Sequence, residues 1–158
     1  MTTARRRKRL KRRLDANSIA AKRLSNTVFY LDESIYSRRL AEDMRQAGAT
    51  VVTPFEAGLA GAADESWLTT IGQHRWLALM RDQNIRRRLL ERQALVAAEV
   101  GAFVCVAGEA TAEETASVVT SLLRKMASIA TSERRPFIYT FGLVPTLRPI
   151  PRRALVRS

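Results

Sequence analysis

Two kinds of apolar block take turns along this chain. Thr27-Val28-Phe29-Tyr30-Leu31 is a β-branched and aromatic run without helical period, which predicts a buried strand. It ends at Asp32-Glu33-Ser34, where Ser34 is placed to cap a following helix. Ile35, Leu40, Met44 and Ala47 give that helix its apolar face, and Gly48 ends it. Ala49-Thr50-Val51-Val52 predicts a second strand, stopped by Pro54, and residues 55–62, with Gly58 and Gly61, a loop. A second helix starts near Asp64, with Trp67, Leu68 and Ile71 facing inward and Gly72 near its end. Trp76-Leu77-Ala78-Leu79-Met80 and Phe103-Val104-Cys105-Val106 predict the third and fourth strands, with a helical turn from Glu91 to Ala98 between them. Thr111, with Glu114 three residues on, forms a capping box for the longest helix, whose apolar positions run from Val118 to Ile129. Phe137-Ile138-Tyr139-Thr140-Phe141 predicts a last strand.

Strands alternating with helices imply a three-layer α/β/α sandwich around a mainly parallel sheet of about five strands. Chemistry in such sheets gathers at the carboxyl ends of the strands. Residues 145–158 contain three prolines without a period and read as unstructured.

Charge divides the chain further. Of 27 basic and 15 acidic residues, ten basic and one acidic lie in residues 1–25, and four basic and none acidic in 142–158. Residues 26–141 keep 13 against 14, so the net +12 belongs to the ends. This suggests a basic N-terminal arm (1–25), a globular domain (26–141) and a basic, proline-containing tail (142–158). Arg5-Arg6-Arg7-Lys8-Arg9 reads either as a solvated, mobile run or as an RNA-binding arm that releases counterions on phosphates. Leu10, Leu14, Ile19 and Leu24 recur at near-helical spacing, which also allows a basic helix laid on a partner. A single cysteine, Cys105, excludes an internal disulfide and suits a reducing compartment. With no apolar run long enough to span a bilayer and no apolar stretch behind the basic start, a cytoplasmic location is expected.

Three acidic pairs or singles fall where a parallel sheet does chemistry. Asp32 and Glu33 follow the first strand, Asp82 follows the third, and Asp64 and Glu65 open the helix between. Converging carboxylates repel one another unless a cation sits among them, and oxygen-only donors suit a hard ion such as Mg²⁺ or Mn²⁺. Such a site supports displacement at phosphorus without histidine or cysteine. The plainer account makes these acids helix-dipole and surface residues, which suffices for Asp64 and Glu65 but less well for Asp32 and Asp82, each directly behind an apolar strand.

The motifs also resemble a known family. Leu31-Asp32-Glu33-Ser34 with Arg39-Leu40, Gly48 and Val51-Val52 looks like the opening of PIN-like domains. Asp64-Glu65-Ser66-Trp67-Leu68 resembles their D-E-x-W-L element, and Leu79-Met80-Arg81-Asp82-Gln83-Asn84-Ile85-Arg86 their L-T-K-D-x-x-I-R element, in the same order over roughly residues 27–141. The resemblance implies a VapC-type, divalent-metal endoribonuclease paired with a cognate antitoxin. Such proteins are often homodimers. It makes Asp32 and Asp82 metal-binding carboxylates, Asp64 or Glu65 a third ligand with Glu65 preferred, and Glu33 a supporting residue. Asp32, Glu65 and Asp82 are then the catalytic set. Asn84 and Arg86 stand where they can orient or bind a phosphate. A fourth acid is not obvious after the fourth strand, where only Glu109 lies near.

Other residues have blander readings. His74 is a polar helix end, Cys105 a small core residue, and Trp67 and Trp76 core aromatics. The main competing function is a non-catalytic nucleic-acid-binding module working through the basic ends. A receiver- or phosphatase-type phosphotransfer domain wants a lysine near the pocket, and residues 26–141 hold only Lys125, in mid-helix. A Rossmann-type domain lacks its glycine-rich turn.

Overall fold

The computed structural model describes residues 3–62, 64–82 and 89–155; the side chains of residues 64, 65 and 89–92 are not among those described. The expected elements are present within a residue or two: β1 (Val28–Leu31), α2 (Arg38–Gln46), β2 (Thr50–Val52), α3 (Asp64–His74), β3 (Leu77–Arg81), α4 (Leu89–Ala97), β4 (Gly101–Cys105), α5 (Ala112–Ser132) and β5 (Phe137–Phe141). A helix α1 (Thr3–Asn26) precedes them, and β6 (Arg148–Pro149) and α6 (Arg152–Leu155) follow. The sheet order is β2-β1-β3-β4-β5-β6, parallel except for β6, which runs antiparallel to β5.

Side chains of successive strand residues go to opposite faces, and so build two cores. Phe29, Leu31, Leu77, Leu79, Phe103, Cys105, Phe137 and Tyr139 pack with α2 and α5. Tyr30, Ala78, Met80, Ala102, Val104 and Ile138 pack with α3, α4 and α6. Both faces of the central strands are therefore apolar, which is why these strands read as continuous runs. Gly72 allows the α3–α4 approach, since a Cβ there would lie 2.2 Å from the Ala98 carbonyl oxygen.

Three expectations change. Ser34 caps no helix: α2 starts four residues later, with the Ser37 side chain accepting from the Leu40 N–H at 3.0 Å. Its far end closes as expected on Gly48, at φ 99, with the Ala49 N–H reaching the Met44 carbonyl. Of the two conformations open to the N-terminal segment, the mobile run gives way to the helix, which spans 24 residues. Its last turn is fastened by buried Leu24 and by the Thr50 hydroxyl donating to the Ser25 carbonyl, while Leu10, Leu14 and Ile19 stay exposed. The C-terminal segment is not unstructured either. Leu147, Ile150 and Leu155 are buried, and the Ile150 N–H donates to the Ile138 carbonyl, which gives the sheet its sixth strand. Among the described residues no helix is long and apolar enough to cross a membrane.

Candidate active site at the carboxyl edge of the sheet

β1 and β3 are parallel neighbours, with Leu31 opposite Leu79, so Asp32 and Asp82 both stand at the carboxyl edge of the sheet, Asp82 two residues beyond the level of Asp32. Backbone hydrogen bonds continue one residue past each strand: the Asp32 N–H donates to the Leu79 carbonyl and the Asp82 N–H to the Cys105 carbonyl. Strand alternation puts both acids on the side of Tyr30, Ala78 and Met80, the side that α3 covers. Asp32 is half-buried, and Asp82 is only 7% exposed.

Ser34 bridges these two strand ends. Its N–H and hydroxyl both donate to Asp32 Oδ2, and its Oγ accepts from the Arg81 N–H at 3.0 Å. One oxygen of Asp32 is thus held by neutral donors, which fixes the direction of the other. Glu33 serves differently. Its Oε1 accepts from the N–H of Gly61, which has φ +74 in the loop that leads to α3. The base of that loop is tied by Arg45 to Glu56 at 2.6 Å. Arg45 and the Thr53 hydroxyl hold the Glu56 carboxyl below its ordinary value.

α3 is docked from within the core. Trp67 stacks on Tyr30 with ring centroids 5.7 Å apart, which docks α3 on the face of β1 that bears Tyr30. Burial, then the negative charge of Asp32 and Glu33, pushes the Tyr30 hydroxyl up to about 12. The Asp64 and Glu65 side chains, and Asn84 and Arg86 altogether, lie outside the described residues. Among the described residues, no three His, Cys, Asp or Glu side chains converge as a metal-binding group. Glu109 is exposed.

Arg81, to which sequence reasoning gave no role, organises the next turn. Its guanidinium donates to the carbonyls of Ala107 (2.9 Å) and Ala110 (3.2 Å) and to the Thr115 hydroxyl (2.7 Å). The β4–α5 loop is thereby pinned beside Asp82. The signal was available: an arginine at the end of an apolar strand, in phase with Leu77 and Leu79, points into the layer of α5. His74 and Trp76 stack on each other at 4.4 Å, with Trp76 half-buried, and Cys105 is fully buried.

This chain belongs to the PIN-like domain family, whose model matches residues 27–107, from the start of β1 to just past β4. Its fold is therefore of the nuclease type. No curated protein and no solved structure matches it.

Proposed function

We propose that the protein is a divalent-metal-dependent endoribonuclease, the toxin of a toxin–antitoxin pair, which hydrolyses RNA phosphodiesters with Asp32, Glu65 and Asp82 as its catalytic carboxylates. The observation that carries this reading is that Asp32 and Asp82 follow the ends of adjoining parallel strands, with Ser34 bonded both to Asp32 and to the backbone of Arg81 beside Asp82. These donors are all oxygens, a set that fits Mg²⁺ or Mn²⁺ held by Asp32, Asp82 and Asp64 or Glu65. The cation supplies charge neutralisation at phosphorus and lowers the pKa of the attacking water. The chain's own residues do the rest. Ser34 orients Asp32, Glu33 holds the loop that delivers α3, and Arg81 shapes the edge beside Asp82. Asn84 and Arg86 follow Asp82 closely enough in sequence to bind the substrate phosphate. Arg5, Arg6, Arg7, Lys8 and Arg9 are exposed on α1 and supply positive charge for recruiting RNA. The toxin role and the antitoxin partner rest on the motif likeness alone.

The test is incubation of mixed RNA with the chain, with Mg²⁺ or Mn²⁺ and with EDTA, beside Asp82→Asn. Cleavage that needs metal and disappears in the variant is expected. The exposed basic face of α1 favours a second reading, a nucleic-acid-binding module without turnover. RNA binding without cleavage, indifferent to EDTA and to the variant, establishes that reading instead.

A further inference from the structure

The opposite edge of the sheet has its own cleft. It measures about 630 Å³ and lies where α1 ends, α3 turns into β3, and α5 turns into β5. Lys22, Arg23, Arg75 and Arg135 line it, with His74 and Trp76, and no carboxylate is among its lining residues. Among the described residues none of these four cations forms an ion pair; the three ion pairs present lie on α2 or join Arg45 to Glu56. Burial, then the neighbouring charge of Arg75, pushes the Arg135 guanidinium below its ordinary value. Like charges gathered without a counter-charge are repulsive, and an anion relieves that repulsion. Arg135 is also held in place, donating to the Trp76 carbonyl at 3.1 Å. The rings of His74 and Trp76 lie 13° from parallel, and His74 is exposed, so one imidazole face rests on the indole and the other is open to a further ring.

We propose that this cleft is a second nucleic-acid site, which takes the phosphodiester backbone of single-stranded RNA on Lys22, Arg23, Arg75 and Arg135 and a base on His74. Guanidinium forks match phosphate oxygens, and aromatic rings stack on the unpaired bases of single strands. The choice of RNA over another polyanion rests on the nuclease reading above. The cleft is distinct from the acidic edge. Trp76 and Asp82 flank the two ends of β3, which separates them by roughly 20 Å at the usual rise per residue. The cleft therefore grips a part of the RNA remote from the bond that is cut.

The test is fluorescence anisotropy of a labelled oligouridylate with the full chain in EDTA, over a range of salt. Lys22→Gln with Arg75→Asn is compared with Arg38→Gln with Arg148→Gln, which removes equal charge outside the cleft. Asn suits the φ of 56 at Arg75, and Lys22→Glu, at an exposed helix position, serves as an independent variant. The cleft pair is expected to bind about tenfold more weakly, with a salt slope smaller by about 1.4, and the control pair within about twofold of the parent. His74→Ala is expected to weaken oligouridylate more than an abasic strand. Equal losses in the two pairs overturn the proposal, because only net charge then counts. Displacement of RNA by polyglutamate of matched charge overturns it in favour of an acidic protein segment. Cleavage is read separately: a chain that cuts but ignores the cleft variants refutes the cleft alone, and one that cuts nothing but loses RNA in them refutes the nuclease alone.

Discussion

The two edges of one sheet carry opposite chemistry and are built in opposite ways. At the carboxyl edge, negative side chains are fastened by neutral donors: Ser34 on Asp32 and the Gly61 N–H on Glu33. At the amino edge, four cations share a cleft with no carboxylate in its lining. A carboxylate held by neutral hydrogen bonds keeps its charge and gains a direction, which suits a group that must meet a cation or a reacting phosphate. Lysine and arginine side chains gathered around one fixed guanidinium, Arg135, offer several donors to phosphate oxygens and none to a particular base edge, which suits holding a backbone irrespective of sequence. Net charge alone hides this division, because the +12 is a whole-chain figure.

The comparison breaks most sharply at Asp82. Asp82→Asn is expected to lower metal-dependent cleavage by more than about a hundredfold while leaving RNA binding in EDTA unchanged, because the amide keeps the shape and loses the charge. If binding falls in step with cleavage, the two edges are not separate sites. Glu33→Ala is expected to lower cleavage by about tenfold, through a loosened loop ahead of α3, with little change in the denaturation midpoint. Unchanged cleavage in Glu33→Ala removes that loop from the site.

Arg81→Met tests stability at the same edge. It strips donors from three loop carbonyls and from Thr115, which is 1% exposed, and is expected to destabilise the chain by about 2–3 kcal/mol in urea unfolding. Removing charge from the exposed Lys22 at the other edge is expected to leave the midpoint within about 0.5 kcal/mol. The smallest effect concerns base. Tyr30 and Tyr139 both titrate near 12 in the folded chain against an ordinary 10.0, raised first by burial and then by their acidic neighbours. A raised phenol favours the folded state below pH 10 and loses that contribution as the pH climbs to about 12. Unfolding is therefore expected to steepen across that window, and Tyr30→Phe to soften it. A denaturation profile with the same slope in both chains removes Tyr30 from the account.

Much of the fold was legible because each central strand is apolar on both faces and each helix on one. Those periods are local, and so were the Thr111 capping box and the Gly48 stop. The same logic put Asp32 and Asp82 at strand ends. It failed at Ser34, because an Asp two residues earlier and the Arg81 N–H from a neighbouring strand compete for the same hydroxyl. It failed at the C-terminal end, where proline suggested disorder, and at the N-terminal end it left a mobile run and a basic helix both open, of which the helix forms. Burial of Leu24 in the core shared with α2 and α5, and of Leu147, Ile150 and Leu155, depends on surfaces far off in sequence.

Strand order, which made neighbours of β1 and β3, was decided only in three dimensions, and with it the meeting of the strand ends that carry residues 32 and 82. So was the cleft of Lys22, Arg75 and Arg135, whose members are spread across the chain and follow no shared motif. By itself the sequence determined which faces of the central elements are apolar and which residues carry charge at their ends, since both follow from periods of two and about 3.6 residues. Which ends meet depends on how twisted strands and their crossovers pack, and that is a property of the whole chain.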